Sequence, residues 1–214
     1  MMPGDLMERW REQLADGLAA LQIDLTAAQQ QLALDYLALL VKWNKAYNLT
    51  AIRDSAEMVP RQLLDSYAIL RLVKGGRVLD VGTGPGLPGI PLAIALPDAQ
   101  FTLLDSNGKK TRFVQQAVHE LGLTNVDVWR GRVEDFDPPR LFDTVTARAF
   151  ADLTKMEQLT ARLVVEQGQL LAMKGTIPSE EIAVVEEAGY TVSIEPLFVP
   201  DSEGERHAII LTRN

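Results

Sequence analysis

Residues 77–89 read Arg77-Val78-Leu79-Asp80-Val81-Gly82-Thr83-Gly84-Pro85-Gly86-Leu87-Pro88-Gly89, and they are the clearest indication of the fold in the chain. A short apolar run with one acid breaks into four glycines within eight residues, and a second apolar run follows to Leu96. Glycine lets the backbone turn sharply and lie against a ligand that a Cβ would block, so the order predicts a strand, a turn and a helix. The free N–H groups at the helix start suit an anionic group. The stretch therefore predicts one half of a nucleotide-binding unit.

Two kinds of cofactor fit this turn, and a tight turn without a ligand is the third possibility. Residues 84–89 satisfy the G-x-G-x-x-G pattern of dinucleotide enzymes, whereas Asp80-Val81-Gly82-Thr83-Gly84 has the acid-x-Gly-x-Gly form of an S-adenosylmethionine turn. A carboxylate at the strand end attracts the sulfonium and ammonium groups of S-adenosylmethionine, but it repels a pyrophosphate. The acid therefore favours S-adenosylmethionine.

The rest of the chain predicts an α/β fold with a helical extension in front. Residues 1–74 predict three helices, over 5–21, from a capping box at Thr26 onward, and over about 55–72. Residues 75–214 predict an S-adenosylmethionine-binding methyltransferase domain. Its strands are expected at 77–81, 101–105, 126–129, 142–146, 170–173, 190–195 and 207–212, with a helix after 153 that stops near Gly168.

The last two strands decide between the two cofactors. The loop that joins them, around residues 200–204, is too short for a helical crossover, so these strands must be antiparallel. A dinucleotide domain would continue with another parallel unit. The sequence thus predicts a Rossmann-like methyltransferase fold, with a mostly parallel seven-stranded sheet that ends in an antiparallel hairpin.

The carboxyl ends of the parallel strands should form one site, because ligands bind at that edge of such sheets. Asp105 lies 21 residues after Gly84, where a carboxylate can accept both ribose hydroxyls, and we expect its loss to weaken cofactor binding with little effect on folding. Backbone groups around Val133 and Glu134 are expected to contact the adenine. The predicted cofactor-binding set is Asp80, Gly82, Gly84, Gly86, Leu87, Asp105, Val133, Glu134 and Arg148.

The charge distribution predicts where a polyanion would bind. The chain of 214 residues has a net charge of −8, but residues 176–214 hold eight acids and two bases, so the remainder is nearly neutral. RNA should therefore avoid the C-terminal segment. The candidates for phosphate contacts are Arg61, Lys109, Lys110, Arg112 and Lys174.

Missing residue types exclude several chemistries. Without cysteine the chain has no disulfide, no thiolate zinc site and no nucleophile for methylating C5 of a pyrimidine. Asp137-Pro138-Pro139-Arg140 resembles the motif of amino-group methyltransferases, but it precedes the fourth strand and lacks the aromatic residue. His119 and His207 are expected to be structural, so no general base is evident. N7 of guanine needs none, because it carries a lone pair and no proton.

Several motifs together resemble the bacterial 16S ribosomal RNA guanine-N7 methyltransferase family, also called GidB or RsmG. They are Trp43-Asn44-Lys45-Ala46-Tyr47-Asn48-Leu49-Thr50, Leu64-Asp65-Ser66, residues 80–89, Leu103-Leu104-Asp105-Ser106, Arg132-Val133-Glu134, Arg148-Ala149-Phe150 and Lys174-Gly175. The resemblance covers nearly all of the chain after residue 25. One departure is Gln62, which follows Arg61 where the family often has histidine.

The resemblance implies methylation of one guanine near the decoding site, in 16S RNA, the small ribosomal subunit or an assembly intermediate. It also implies cofactor contacts from Gly82, Leu87, the Val133-Glu134 loop and Arg148. Arg148 and Lys174 are candidates for positioning the reactants, the first on the methionine carboxylate and the second on an RNA phosphate. We expect a cytoplasmic monomer without a metal site, a signal peptide or a membrane span. A small-molecule methyltransferase and a non-catalytic module that binds nucleotide or RNA remain alternatives.

Overall fold

A seven-stranded sheet forms the centre of the computed structural model, which describes residues 4–148 and 152–214. The strands are β1 (Arg77–Val81), β2 (Gln100–Asp105), β3 (Val126–Arg130), β4 (Phe142–Ala147), β5 (Val164–Lys174), β6 (Tyr190–Pro196) and β7 (His207–Arg213). Their order is β3-β2-β1-β4-β5-β7-β6. Strands β1 to β5 pair in parallel, and β7 is antiparallel to both of its neighbours. The predicted fold class is confirmed.

Helices cover both faces of the sheet. They are α1 (Gly4–Ala20), α2 (Ala27–Tyr47), α3 (Asp65–Tyr67), α4 (Gly89–Ala95), α5 (Gly108–Glu120), α6 (Leu153–Thr160) and α7 (Ser179–Glu187). Neighbouring strand residues point to opposite faces, so Val78 packs with α2, α4 and α5 while Leu79 packs with α6 and α7. Among the described helices, none combines the length and the apolar character that crossing a bilayer requires.

The N-terminal helices are attached directly to the first βα unit. The predicted capping box at Thr26 is present, and the Gln29 side chain that completes it also donates to the carbonyl oxygen of Ile94 at 2.9 Å. About two turns further on, the buried Tyr36 hydroxyl donates to the carbonyl oxygen of Pro85 at 2.9 Å. Helix α2 thus supports the glycine turn from one side. A division of the chain into units at residue 75 stays a prediction.

The continuous helix expected over residues 55–72 is wrong. The segment consists of a 3-10 turn (Ser55–Glu57), a π-helical piece (Val59–Leu64), the short α3 and a further 3-10 turn (Leu70–Leu72). Pro60 has no N–H, and the N–H of Asp65 donates to the Pro60 carbonyl five residues back, which widens the turn. Such wide turns occur often at functional sites.

The expected helix end near Gly168 is also wrong. Helix α6 ends at Thr160, and β5 begins at Val164, where β-branched residues favour a strand. The pairing with β4 shifts register between Phe142 and Thr144. A Cβ at Gly168 would lie 2.8 Å from the carbonyl oxygen of Asp143, so this glycine permits the close approach of two strands.

Candidate active site

The glycine turn leaves β1 and enters α4 with a left-handed backbone. Gly82, Gly84 and Gly86 have φ values of 69°, 61° and 98°, which residues with a Cβ rarely adopt. The N–H groups of Gly82 and Thr83 both donate to the carbonyl oxygen of Leu104, at 2.8 and 3.0 Å. The turn is therefore fixed to the end of β2.

Asp80 lies beneath this turn and is fully buried. Its Oδ2 accepts hydrogen bonds from the Thr83 hydroxyl at 2.6 Å and from the Gly89 N–H at 2.9 Å. Its Oδ1 has no hydrogen-bond partner among the residues described. Burial raises the pKa of the carboxyl group from 3.8 to about 6, and the two hydrogen bonds and the charge of Arg148 oppose that rise. A buried carboxylate whose negative charge is only partly offset by hydrogen bonds attracts a cation. The predicted cofactor would supply one.

A first cavity, which we call the cofactor cavity, opens beside the turn. Its volume is about 340 Å³, and Gly82, Asp105, Val133 and Glu134 all line it. The Cβ of a larger residue at Gly82 would enter open space there. The other predicted contacts at Asp80, Gly84, Gly86 and Leu87 lie outside this lining, in or under the turn that shapes it. Their contact with a cofactor stays a prediction.

Asp105 fits a ribose and also holds the protein together. Its Oδ2 accepts from the Gly84 N–H at 2.9 Å, and its Oδ1 accepts from the Asn107 N–H at 2.8 Å. A carboxylate offers about four lone-pair positions, so each oxygen keeps capacity for a ribose hydroxyl. The carboxylate therefore links the glycine turn to the start of α5 whether or not a ligand is bound.

The loop at Val133 and Glu134 is held by a residue that sequence reasoning missed. It forms a 3-10 turn, and Nη2 of Arg162 donates to the carbonyl oxygens of Val133 at 2.8 Å, Glu134 at 3.2 Å and Phe136 at 2.8 Å. Arg162 follows α6 in the sequence and carries no motif that would indicate this role. It fixes the wall of the cofactor cavity that the adenine is expected to face.

A second cavity of about 320 Å³ lies at the ends of β4 and β5, and we call it the base cavity. Its polar lining includes Gln62, Asp65, Arg148, Lys174, Arg206 and His207. Nη1 of Arg148 lies 3.4 Å from Oδ2 of Asp65 and 3.5 Å from Oε1 of Gln62. The structure therefore joins Arg148 to the irregular helical segment. Residues 149–151, with the rest of the Arg148-Ala149-Phe150 motif, lie outside the described residues.

The base cavity and the cofactor cavity are neighbours. β1 and β4 pair side by side, with Asp80 opposite Thr146, so their carboxyl ends open next to each other. Arg148 lies close enough to the turn to lower the pKa of Asp80. This side chain therefore lines the base cavity and also acts electrostatically on the acid under the glycine turn.

His207 and the two predicted RNA contacts, Arg61 and Lys174, line the base cavity as well. His207 pairs with Lys174 across β7 and β5, and its buried Nδ1 has no hydrogen-bond partner within the described ranges. Lys174 forms an ion pair with Glu181 at 3.6 Å, and Arg61 pairs with Glu57 at 3.0 Å. The spacing of residues in the sequence does not predict that His207 lies at this edge, because only the antiparallel register of β5 and β7 brings it there.

The remaining RNA candidates lie on α5, beside the glycine turn. Lys109 and Arg112 are exposed, and Nζ of Lys110 lies 4.0 Å from the position that a Cβ at Gly84 would occupy. Predicted RNA contacts therefore lie beside the glycine turn as well as in the lining of the base cavity. Asp137-Pro138-Pro139-Arg140 lies in the loop before β4, as expected, and His119 is exposed on α5.

Comparisons with known proteins show the family and the fold of the chain. The family described as rRNA small subunit methyltransferase G (GidB) matches residues 29–210. The Ribosomal RNA small subunit methyltransferase G of Marinobacter nauticus is 52% identical over 205 residues, 96% of each chain. A SAM dependent methyltransferase from Aquifex aeolicus has a TM-score of 0.57 at 20% identity, covering 79% of this chain and 96% of its own. The precorrin-6y C5,15-methyltransferase of Geobacter metallireducens also has a TM-score of 0.57, at 16% identity, covering 79% and 92%. At such identities the two solved structures show the fold alone.

Proposed function

Since the chain belongs to the rRNA small subunit methyltransferase G family, we propose that it transfers a methyl group from S-adenosylmethionine to N7 of one guanine in 16S ribosomal RNA, near the decoding site. The observation that carries the chemistry is the pair of neighbouring cavities, one beside the glycine turn and one at the ends of β4 and β5. Because β1 and β4 pair side by side, the two cavities lie at adjacent strand ends, which suits the meeting of two reactants.

The cofactor cavity has the groups that S-adenosylmethionine requires. When bound, the cofactor supplies an electrophilic methyl group on a sulfonium sulfur. Asp105 accepts the ribose hydroxyls, and the turn that Arg162 fixes faces the adenine. The guanidinium fork of Arg148 is suited to the methionine carboxylate. The negative charge of Asp80 favours the cationic end of the ligand from below.

The base cavity needs to position guanine rather than deprotonate it. N7 offers an in-plane lone pair, so methyl transfer depends on alignment and on the exclusion of water. The ring becomes cationic as the methyl group arrives, and anions near it lower the energy of the transition state. Arg61, which lines the base cavity, and the cations at the start of α5, beside the glycine turn, bind the phosphates that flank the target.

The substrate implies that the protein acts in the cytoplasm, and we expect it to act as a monomer.

Digests of 16S RNA from cells with and without the protein test the proposal, because 7-methylguanosine should disappear from the RNA when the protein is absent. Purified protein should restore the methyl group on free RNA, on an assembly intermediate or on finished subunits, which identifies the substrate. A methyl group on ribose, on an exocyclic amine or on carbon would refute the assignment. Calorimetry should show that the protein binds S-adenosylmethionine and that it does not bind NAD with similar affinity.

A further inference from the structure

The base cavity has the size of a small-molecule pocket rather than that of a surface groove for a duplex. An enzyme that acts on a base in folded RNA takes the base out of its stack and holds it in such a pocket. Ile52, Met173 and Leu197 contribute apolar walls, and the charged groups lie among them. A pocket of this composition can select one base by hydrogen bonds to its edge.

Asp65 is the acid in the lining of this cavity. Its side chain is only 9% exposed, and Arg148 and Arg206 approach its two oxygens separately, at 3.4 Å on Oδ2 and 3.3 Å on Oδ1. Two guanidinium groups offset the cost of burying one carboxylate. Because each oxygen accepts from one arginine, each retains a lone pair for another donor.

We propose that Asp65 recognises the target guanine by accepting hydrogen bonds from N1–H and from the 2-amino group. This inference rests on the proposed function. Guanine alone among the four RNA bases presents two adjacent donors that match the two oxygens of a carboxylate, whereas adenine presents an acceptor at N1. Holding the base by this edge directs the opposite edge, which carries N7, away from Asp65. Selection of the base and presentation of N7 are thus a single event.

The same contact favours the reaction itself. Methylation at N7 places positive charge on the ring, which makes N1–H and the amino group stronger donors. Their hydrogen bonds to an anionic acceptor therefore strengthen on the way to the transition state, and only interactions of this kind accelerate the chemical step. Asp65 acts on both the choice of base and the rate.

The irregular backbone of residues 59–67 places the carboxylate. Asp65 follows the π-helical turn, and Ser66, fully buried, donates to the Gln62 carbonyl oxygen at 2.6 Å. The Gln62 side chain is in turn fixed by the Thr50 hydroxyl at 3.0 Å and by Arg148. The acceptor is therefore rigid before RNA binds, as a group that discriminates between bases requires.

The test compares guanosine with inosine, which lacks only the 2-amino group. After the methylated position has been mapped, ligated 16S RNA carries either nucleoside there, in the free or assembled form that the wild-type protein methylates. Methyl incorporation under single turnover is measured for the wild type, for Asp65→Asn and for Glu57→Gln. The last is a matched acid-to-amide change at an exposed position of the same segment. Calorimetry measures cofactor affinity in parallel.

We expect the wild type and Glu57→Gln to prefer guanosine over inosine by roughly 10- to 100-fold, and Asp65→Asn to lose most of that preference. Equal rates on both RNAs with the wild type overturn the inference and leave the proposed function standing. A guanosine preference that persists in Asp65→Asn overturns it too, and reduces Asp65 to a support for its arginines. If the mapping step finds no guanine in 16S RNA that the wild type methylates at N7, the proposed function fails and the inference with it. Equal wild-type rates would overturn the inference even if Asp65→Asn does not fold, and Asp65→Glu, which keeps the carboxylate but displaces it, then serves as the second variant and should lower the preference.

Discussion

The buried carboxylate of Asp80 should give the protein an unusual dependence of stability on pH. Its pKa is about 6 in the folded chain, against 3.8 for an ordinary aspartate. Between these values the folded state binds a proton that the unfolded state does not, so the free energy of unfolding falls as the pH rises through this window. The difference corresponds to about 3 kcal/mol, since one pKa unit is worth about 1.4 kcal/mol. Most paired aspartates behave in the opposite way.

The substitution Asp80→Asn isolates this effect. The amide oxygen can accept the same two hydrogen bonds, from Thr83 and Gly89, while the charge is lost. We expect the free energy of unfolding of the wild type, minus that of the variant, to fall by about 2 kcal/mol between pH 4 and pH 7, because part of the full difference is already lost at pH 4. Any constant cost of the amide cancels from the slope. Cofactor affinity should fall at the same time, because the variant presents no negative charge to the sulfonium.

Urea titrations of both proteins across this pH range provide the measurement. Other titrating groups contribute equally to both chains and drop out of the difference. Saturating S-adenosylmethionine should flatten the wild-type dependence, because a cation above Asp80 lowers its pKa. A difference that does not change with pH would show that the carboxylate is already fully compensated, and the charge argument for the cofactor would fail.

Three further predictions concern the walls of the two cavities. Arg148→Ala should weaken cofactor affinity and activity together, whereas Lys174→Ala should spare cofactor affinity, reduce activity on RNA and lessen the salt dependence of that activity. Calorimetry and methyl incorporation across a salt series measure these effects. If both variants behave like the wild type in both assays, the active site does not lie at this edge of the sheet. Asp105→Ala should weaken cofactor binding and also lower the free energy of unfolding by about 1–3 kcal/mol, because the buried Gly84 N–H loses its acceptor. An unchanged urea midpoint would contradict the loss of stability. Arg162→Met should keep the packing but release three carbonyl oxygens, raising the dissociation constant for the cofactor severalfold while leaving the RNA salt dependence unchanged.

The strands and the terminal hairpin follow from local signals in the sequence, because glycine spacing, apolar runs and a loop too short for a crossover are all contained in short stretches. The order of the strands depends on long-range pairing, which no short stretch contains. Asp105, Val133 and Arg148 could be placed at one edge, because parallel strands end together. The sequence predicts that Asp105 contributes to ligand binding and little to folding. It does not predict the hydrogen bond that Asp105 accepts from the Gly84 N–H, because residue spacing carries no information about that contact.

The base cavity could not be predicted in this way, because its parts come from distant segments. Gln62 and Asp65 depend on the π-helical turn after Pro60, and periodicity cannot separate that turn from an ordinary helix. His207 reaches the cavity through the register of an antiparallel pair. Arg162 and Arg206 act through single side chains that belong to no pattern. Long-range packing supplies these contacts, and sequence patterns do not contain it.

The contact between Asp65 and Arg206 joins residues 141 positions apart. Contacts of such long range form late in folding, since the chain must first lose the entropy of closing a very large loop. Every element of the sheet lies between the two residues or just beyond them, so a growing chain can shape its glycine turn long before it can close the base cavity. Competence to select a base is therefore acquired last. A chain that ends before residue 206 also lacks β7, the strand that joins β6 to β5, so the last strand to be made completes both the sheet and the base cavity.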